Sequence, residues 1–215
     1  MTDAIVAKNI HKRFGRAKAL VNVSLIIPRG SVYCIAGPNG SGKTTLLEIL
    51  SGGLSPDNGT IVSEGTIGYC RQNPLLYEDL TVSQNIELFS DILCADRGVV
   101  DEMAEVLELG MEMKKRVMDL SSGTKKRVEL CIAVMSGPDI LILDEPTTGL
   151  DRRSSDRMIS FIRGIRKEGT VVIATHLLHE FEGLCSHLLV LKEGEKVYEK
   201  GNVKNLENVY KKIMG

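Results

Sequence analysis

A nearly continuous apolar run, Ser31 to Ala36, leads directly into Gly37-Pro38-Asn39-Gly40-Ser41-Gly42-Lys43-Thr44, after which Leu46, Leu47 and Leu50 recur with helical spacing. This order reads as buried strand, glycine-rich loop and helix, and the octapeptide fits G-x-x-x-x-G-K-[ST]. Successive main-chain N–H groups of such a loop, together with the positive end of the helix, can wrap a polyphosphate. Side chains at the glycine positions would obstruct that approach. Lys43 is expected to reach the β- and γ-phosphates. Thr44 is expected to offer its hydroxyl to Mg²⁺, with Thr45 helping at the helix start.

A second motif answers the first. Ile140 to Leu143 is an apolar strand that ends in Asp144-Glu145. Burial of the strand beside the phosphate loop would bring Asp144 out where it can hold the metal's water shell. Glu145 would then stand near the γ-phosphate, able to orient and polarise an attacking water. Read alone, an acidic pair before Pro146 more simply caps a turn; the phosphate loop reverses that preference.

Elsewhere, Ala4 to Ile10 and Val23 to Ile27 read as strands around a polar turn at Gly15, and Thr60 to Val62 and Thr66 to Cys70 as short strands. From Thr81 the period becomes helical. Thr81 and Gln84 make a capping-box pattern, and a second helix is expected over Val99 to Leu109, so residues from about 73 to 118 form a helical insertion. Val128, Cys131, Ile132 and Met135 share a helix face, followed by a strand at Ile140, a helix around Met158 to Ile165 and a strand at Val171 to Ala174. This alternation argues for a mostly parallel sheet covered by helices on both faces. A terminal hairpin over Leu188 to Leu191 and Lys196 to Tyr198 and a short helix close the chain.

Composition excludes several function classes. In 215 residues, 27 Lys plus Arg oppose 28 Asp plus Glu, so neither a basic nucleic-acid surface nor an acidic tail is announced. Apolar runs such as Val32 to Ala36 fall far short of the roughly 18 residues that cross a bilayer. No basic-then-apolar leader follows Met1, and a cytosolic location is expected. Five scattered cysteines without C-x-x-C spacing disfavour disulfides and zinc. The basic triplets Lys114-Lys115-Arg116 and Lys125-Lys126-Arg127 read as solvated helix faces, and the methionines Met103, Met111, Met113 and Met118 as core filling.

What selects among proteins with such loops is Leu120-Ser121-Ser122-Gly123-Thr124, which resembles the signature motif of the ABC ATPase family. Gln72 is similar to that family's Q-loop, Gly149-Leu150-Asp151 to its D-loop, and His176, after the strand at Val171, to its switch histidine. Phe14 resembles the aromatic that stacks on adenine. These motifs occur in the family's order across essentially the whole chain.

The resemblance implies an α/β fold over a single domain, 1–215. It has a P-loop ATPase core with a mostly parallel sheet, an N-terminal antiparallel sheet lobe and a helical subdomain inserted at 73–137. It implies ATP and Mg²⁺ as cofactors, with Thr44, Gln72 and Asp144 around the metal and Glu145, His176, Gln72 and Lys43 in catalysis. It also implies a head-to-tail dimer in which Ser121, Ser122 and Gly123 of one chain meet the ATP held by Gly37 to Thr45 of the other, with Asp151 at the junction. A charge-assisted hydrogen bond to the γ-phosphate is worth about 1.5–3 kcal/mol, so hydrolysis, which removes several at once, would reopen the dimer. Ser122 and Thr124 depart from the family pattern L-S-G-G-Q; a homodimer would carry two altered signatures, a heterodimer with a second ATPase subunit one.

The expected function is to power transport through a separate transmembrane permease subunit, at the cytoplasmic face of the membrane. Glu78 to Ile86 resembles a stretch of compact exporter subunits, which favours export. The alternative is a soluble ABC-type ATPase that drives conformational change in a cytosolic assembly; no nucleic-acid partner is expected.

Overall fold

The computed structural model describes residues 3–165 and 169–215. The chain begins with β1 (Asp3–Phe14), β2 (Ala17–Pro28), β3 (Val32–Ala36), α1 (Lys43–Leu50), β4 (Asn58–Ser63) and β5 (Ile67–Cys70). A helical stretch follows, with α2 (Val82–Leu93), α3 (Arg97–Val106) and α4 (Ser122–Val134). Alternation then resumes through β6 (Ile140–Asp144), α5 (Arg152–Ile165), β7 (Thr170–Thr175), β8 (His187–Lys192), β9 (Glu195–Gly201) and α6 (Leu206–Met214).

Two sheets result. The smaller is antiparallel, with strand order β2-β1-β4; the larger runs β5-β6-β7-β3-β8-β9, parallel except for β9. Strands β3, β6 and β7 are buried along their whole length, which is why they read as continuous apolar runs rather than alternating ones. Along β3, Val32, Cys34 and Ala36 face the core shared with α2, α4 and α5, while Tyr33 and Ile35 face the opposite core. Leu46, Leu47, Ile49 and Leu50 of α1 fill that second core together with Ile5, Ile10 and Leu25 of the antiparallel sheet. Wedged this way, α1 starts just beyond the carboxyl end of the central strand β3, where ligands bind in open α/β sheets.

The helical stretch is tied down by its own polar groups. Both hydrogen bonds of the Thr81–Gln84 capping box are present. Buried Asn85 donates to the carbonyls of Tyr77 and Thr81 and accepts from the Tyr77 N–H, fixing the approach to α2. β1 runs longer than expected, continuing to Phe14 where polar residues lie on its exposed side, and α4 starts at Ser122, within the 120–124 motif. The reverse holds for α3, which stops at Val106, two residues before Glu108 takes a positive φ of 52°. Among the described residues, no helix is long and apolar enough to cross a membrane.

Candidate functional site

The loop after β3 can bend only because of its glycines. Gly42 has φ 101°, and a Cβ there would lie 2.5 Å from the Ala19 carbonyl oxygen. At Gly37 a Cβ would lie 2.4 Å from the Leu191 carbonyl oxygen. The loop is thus held between β2 and β8, and the first turn of α1 opens onto a cavity of about 280 Å³ lined by Ala19, Asn39, Gly40, Gly42, Lys43, Thr44, Thr45, Gln72 and Glu145. Lys43 is buried, and its Nζ donates to the carbonyls of Gly37 (2.9 Å) and Pro38 (3.3 Å). Ser41 Oγ is buried with no hydrogen-bond partner among the described residues.

The carboxylates at the end of β6 divide their contacts. Asp144 Oδ2 accepts from the Thr44 hydroxyl at 2.7 Å, whereas Oδ1 is buried without a partner among the described residues. Burial pushes the Asp144 pKa up, against the pull of the Thr44 hydrogen bond. Glu145 is 4% exposed, with Oε1 3.6 Å from Lys43 Nζ. Its Oε2 accepts from the Thr148 hydroxyl at 3.0 Å and lies 2.9 Å from His176 Nδ1. Among the described residues, no cluster of three His, Cys, Asp or Glu could hold a metal ion. One carboxylate with a free buried oxygen beside a hydroxyl nevertheless suits Mg²⁺, which retains waters and phosphate oxygens instead of entering an all-protein cage.

Not every expected site residue joins this cavity. Phe14 is 54% exposed at the end of β1, with Lys12 Nζ 5.7 Å from its ring centre, and is not part of the cavity wall. Ser121, Ser122 and Gly123 also lie outside the wall. Ser121 caps α4, accepting from the Thr124 N–H at 3.2 Å, and Ser122 Oγ donates to the Gly149 carbonyl at 3.5 Å. A Cβ at Gly123 would lie 3.2 Å from Leu150 Cδ2, so the two expected motifs at 121–123 and 149–151 touch. Asp151 accepts from the Ser154 hydroxyl (2.7 Å) and N–H (3.0 Å), which hold its carboxyl below the usual range.

Two expectations are overturned. Met111 is 91% exposed and Met118 53% exposed, so neither fills the core. Lys126 is 6% exposed rather than solvated, and donates to the carbonyls of Glu145 and Thr148. Its neighbour Arg127 is half-buried and donates to the carbonyls of Leu107 and Glu108. The run of cations hid this, because charge alone does not say which side of a helix faces the core. Sequence reasoning also misses Ala19 and Thr148: Ala19 carries no chemistry a motif could flag, whereas a threonine three residues after Glu145 is a turn-forming signal.

A family model described as ABC transporter matches residues 20–148. The chain is 33% identical to the lantibiotic transport ATP-binding protein SrtF of Streptococcus pyogenes, the alignment covering 94% of each. It is 36% identical to the Nod factor export ATP-binding protein I of Burkholderia orbicola (strain AU 1054), over 89% of this chain and 69% of the relative. Among solved structures it is similar to the dimeric post-hydrolysis state of the ATP-binding cassette MJ0796 bound to ADP and Pi, with a TM-score of 0.85 and 26% identity over 93% of this chain and 99% of that one.

Proposed function

Because this chain belongs to the ABC transporter family of ATP-binding subunits, we propose that it binds and hydrolyses ATP to drive export through a separate transmembrane permease. The convergence of Lys43 and His176 on the two oxygens of Glu145, at the mouth of the phosphate loop, carries this reading. The export relatives support its direction.

In the proposed reaction, N–H groups of Gly37 to Thr45 surround the phosphates and Lys43 Nζ turns from its loop carbonyls to the β- and γ-phosphate oxygens. Glu145 orients a water in line with the γ-phosphorus and draws its proton as the water oxygen bonds and the bond to ADP breaks. His176 and Thr148 hold one edge of that carboxylate. Thr44, Asp144 and Gln72 would hold Mg²⁺, which when bound neutralises charge on the phosphates. Phe14 lies on the hairpin whose other strand brings Ala19 to the cavity, and is assigned to the adenine.

The placement of Ser121 to Gly123 outside the chain's own cavity supports a head-to-tail dimer in which they serve a second subunit's nucleotide. The start of α4 offers unpaired N–H groups suited to a γ-phosphate. Asp151 and Leu150, packed against that motif, would pass the change between subunits. The helical stretch 73–137 would carry it onward to the permease.

Purification of the native protein from detergent-solubilised membranes tests the transport reading. A multi-spanning membrane protein should copurify. Recovery from the soluble fraction alone, with no membrane protein attached, would favour a cytosolic assembly instead.

A further inference from the structure

Lys126 departs from the usual behaviour of a lysine in a basic run. Removing an ammonium from water is costly unless polar groups replace the water, and Lys126 Nζ meets two main-chain carbonyls, Glu145 O at 2.5 Å and Thr148 O at 2.9 Å. Those carbonyls stand at the two ends of the turn 145–148, which carries Glu145.

That turn needs holding. Glu145 has φ 49°, a left-handed conformation that a non-glycine residue keeps only when its surroundings enforce it. Its N–H donates to the Ala174 carbonyl at 2.8 Å, its carbonyl accepts from Lys126, and its carboxylate accepts from Thr148 Oγ1. Of these partners, Lys126 is the only one on α4, the helix that begins at the Ser121 cap. Glu129, one turn further along, is also buried and meets Cys70 Sγ at 3.6 Å, so α4 is anchored beside the segment leading to Gln72 as well.

We infer that Lys126 is a positioning residue for hydrolysis: by gripping both ends of the turn 145–148 it aims the Glu145 carboxylate and makes that aim follow the helix capped by Ser121. Burial lowers the lysine's pKa, while Glu145, Glu129 and Asp144 favour its charged form. Lys126 touches neither nucleotide nor water in this account. It acts through Glu145.

The inference rests on the ATPase reading of this site, and the two fail differently. Absence of turnover in the wild-type chain would sink that reading, whereas the role of Lys126 is decided by variants of an active chain. Lys126→Met keeps the unbranched stem and removes every donor; its kcat should fall about 10- to 100-fold while ATP affinity stays within about twofold. Lys126→Gln retains a shorter donor and should lose less, about 3- to 10-fold. In a Glu145→Gln background both changes should leave the residual rate nearly unaltered, because the group they aim is already gone. If Lys126→Met does not fold, Lys126→Gln decides by the same comparison. Wild-type kcat in a folded variant, a parallel loss of ATP affinity, or full additivity with Glu145→Gln would overturn the assignment.

Discussion

His176 Nδ1 lies 2.9 Å from Glu145 Oε2, on a carboxylate whose other oxygen is 3.6 Å from Lys43 Nζ. The side chain proposed to orient water is therefore clamped at both oxygens, from the residue that follows β7 on one side and from the start of α1 on the other. Replacing His176 with Ala releases one clamp and leaves the phosphate loop intact. Turnover should fall about 100-fold with ATP affinity preserved, as read by steady-state phosphate release alongside a nucleotide titration.

Thr44 supplies a hydrogen bond to Oδ2 of Asp144, whose Oδ1 lacks a partner among the described residues. Thr44→Val would leave both oxygens of a buried carboxylate unsatisfied and push its pKa further up. Stability should fall by about 1–3 kcal/mol in denaturant titrations. The Mg²⁺ dependence of ATP binding should weaken as well, while Mg²⁺-free binding, held by the loop N–H groups, persists.

Much of this is legible in the order of residues. The strand, glycine loop and helix at 31–50, and the apolar strand ending in Asp144-Glu145, declare themselves because burial on both faces demands unbroken apolar runs. The Thr81–Gln84 cap is legible for a similarly local reason. Lys126 is not, since its acceptors are main-chain carbonyls 19 and 22 residues away, which no side-chain pattern encodes. Nor can spacing reveal that Phe14 ends a strand and stands exposed, or that the 121–123 and 149–151 segments touch. Those facts depend on how the two sheets and α4 pack.

Glu129 predicts a pH signature. Burial raises its pKa from 4.5 to about 7, against N–H groups of Arg71 and Leu75 that favour the charged form. Between those values the folded chain binds more proton than the unfolded one, so this group makes stability fall as pH rises through the window. Glu129→Gln removes the effect. The variant should gain nothing below pH about 4.5 and on the order of 3 kcal/mol above pH about 7 relative to wild type, measured by chemical denaturation across pH. A constant difference at all pH values would refute it.

Gly123→Ala separates folding from assembly. The added Cβ is crowded by the flexible end of Leu150 at 3.2 Å, with Ser121 Oγ and Ser154 Oγ at ordinary contact distances of 3.9 and 4.0 Å, and alanine favours the helix by about 1 kcal/mol, so the monomer should melt within about 1 kcal/mol of wild type. The same methyl stands where a second subunit's γ-phosphate is proposed to dock. ATP-driven dimerisation in a hydrolysis-deficient background should therefore weaken sharply by light scattering. Dimers of unchanged affinity would remove Gly123 from the interface.

The most direct measurement compares MgATP turnover of the wild-type chain with that of Glu145→Gln, while following mass by light scattering. Wild type should hydrolyse ATP. The variant should bind ATP with similar affinity, lose about 10²- to 10⁴-fold in kcat and accumulate as a dimer. Equal turnover in the two proteins would contradict the assignment of Glu145, and with it the mechanism built around the phosphate loop.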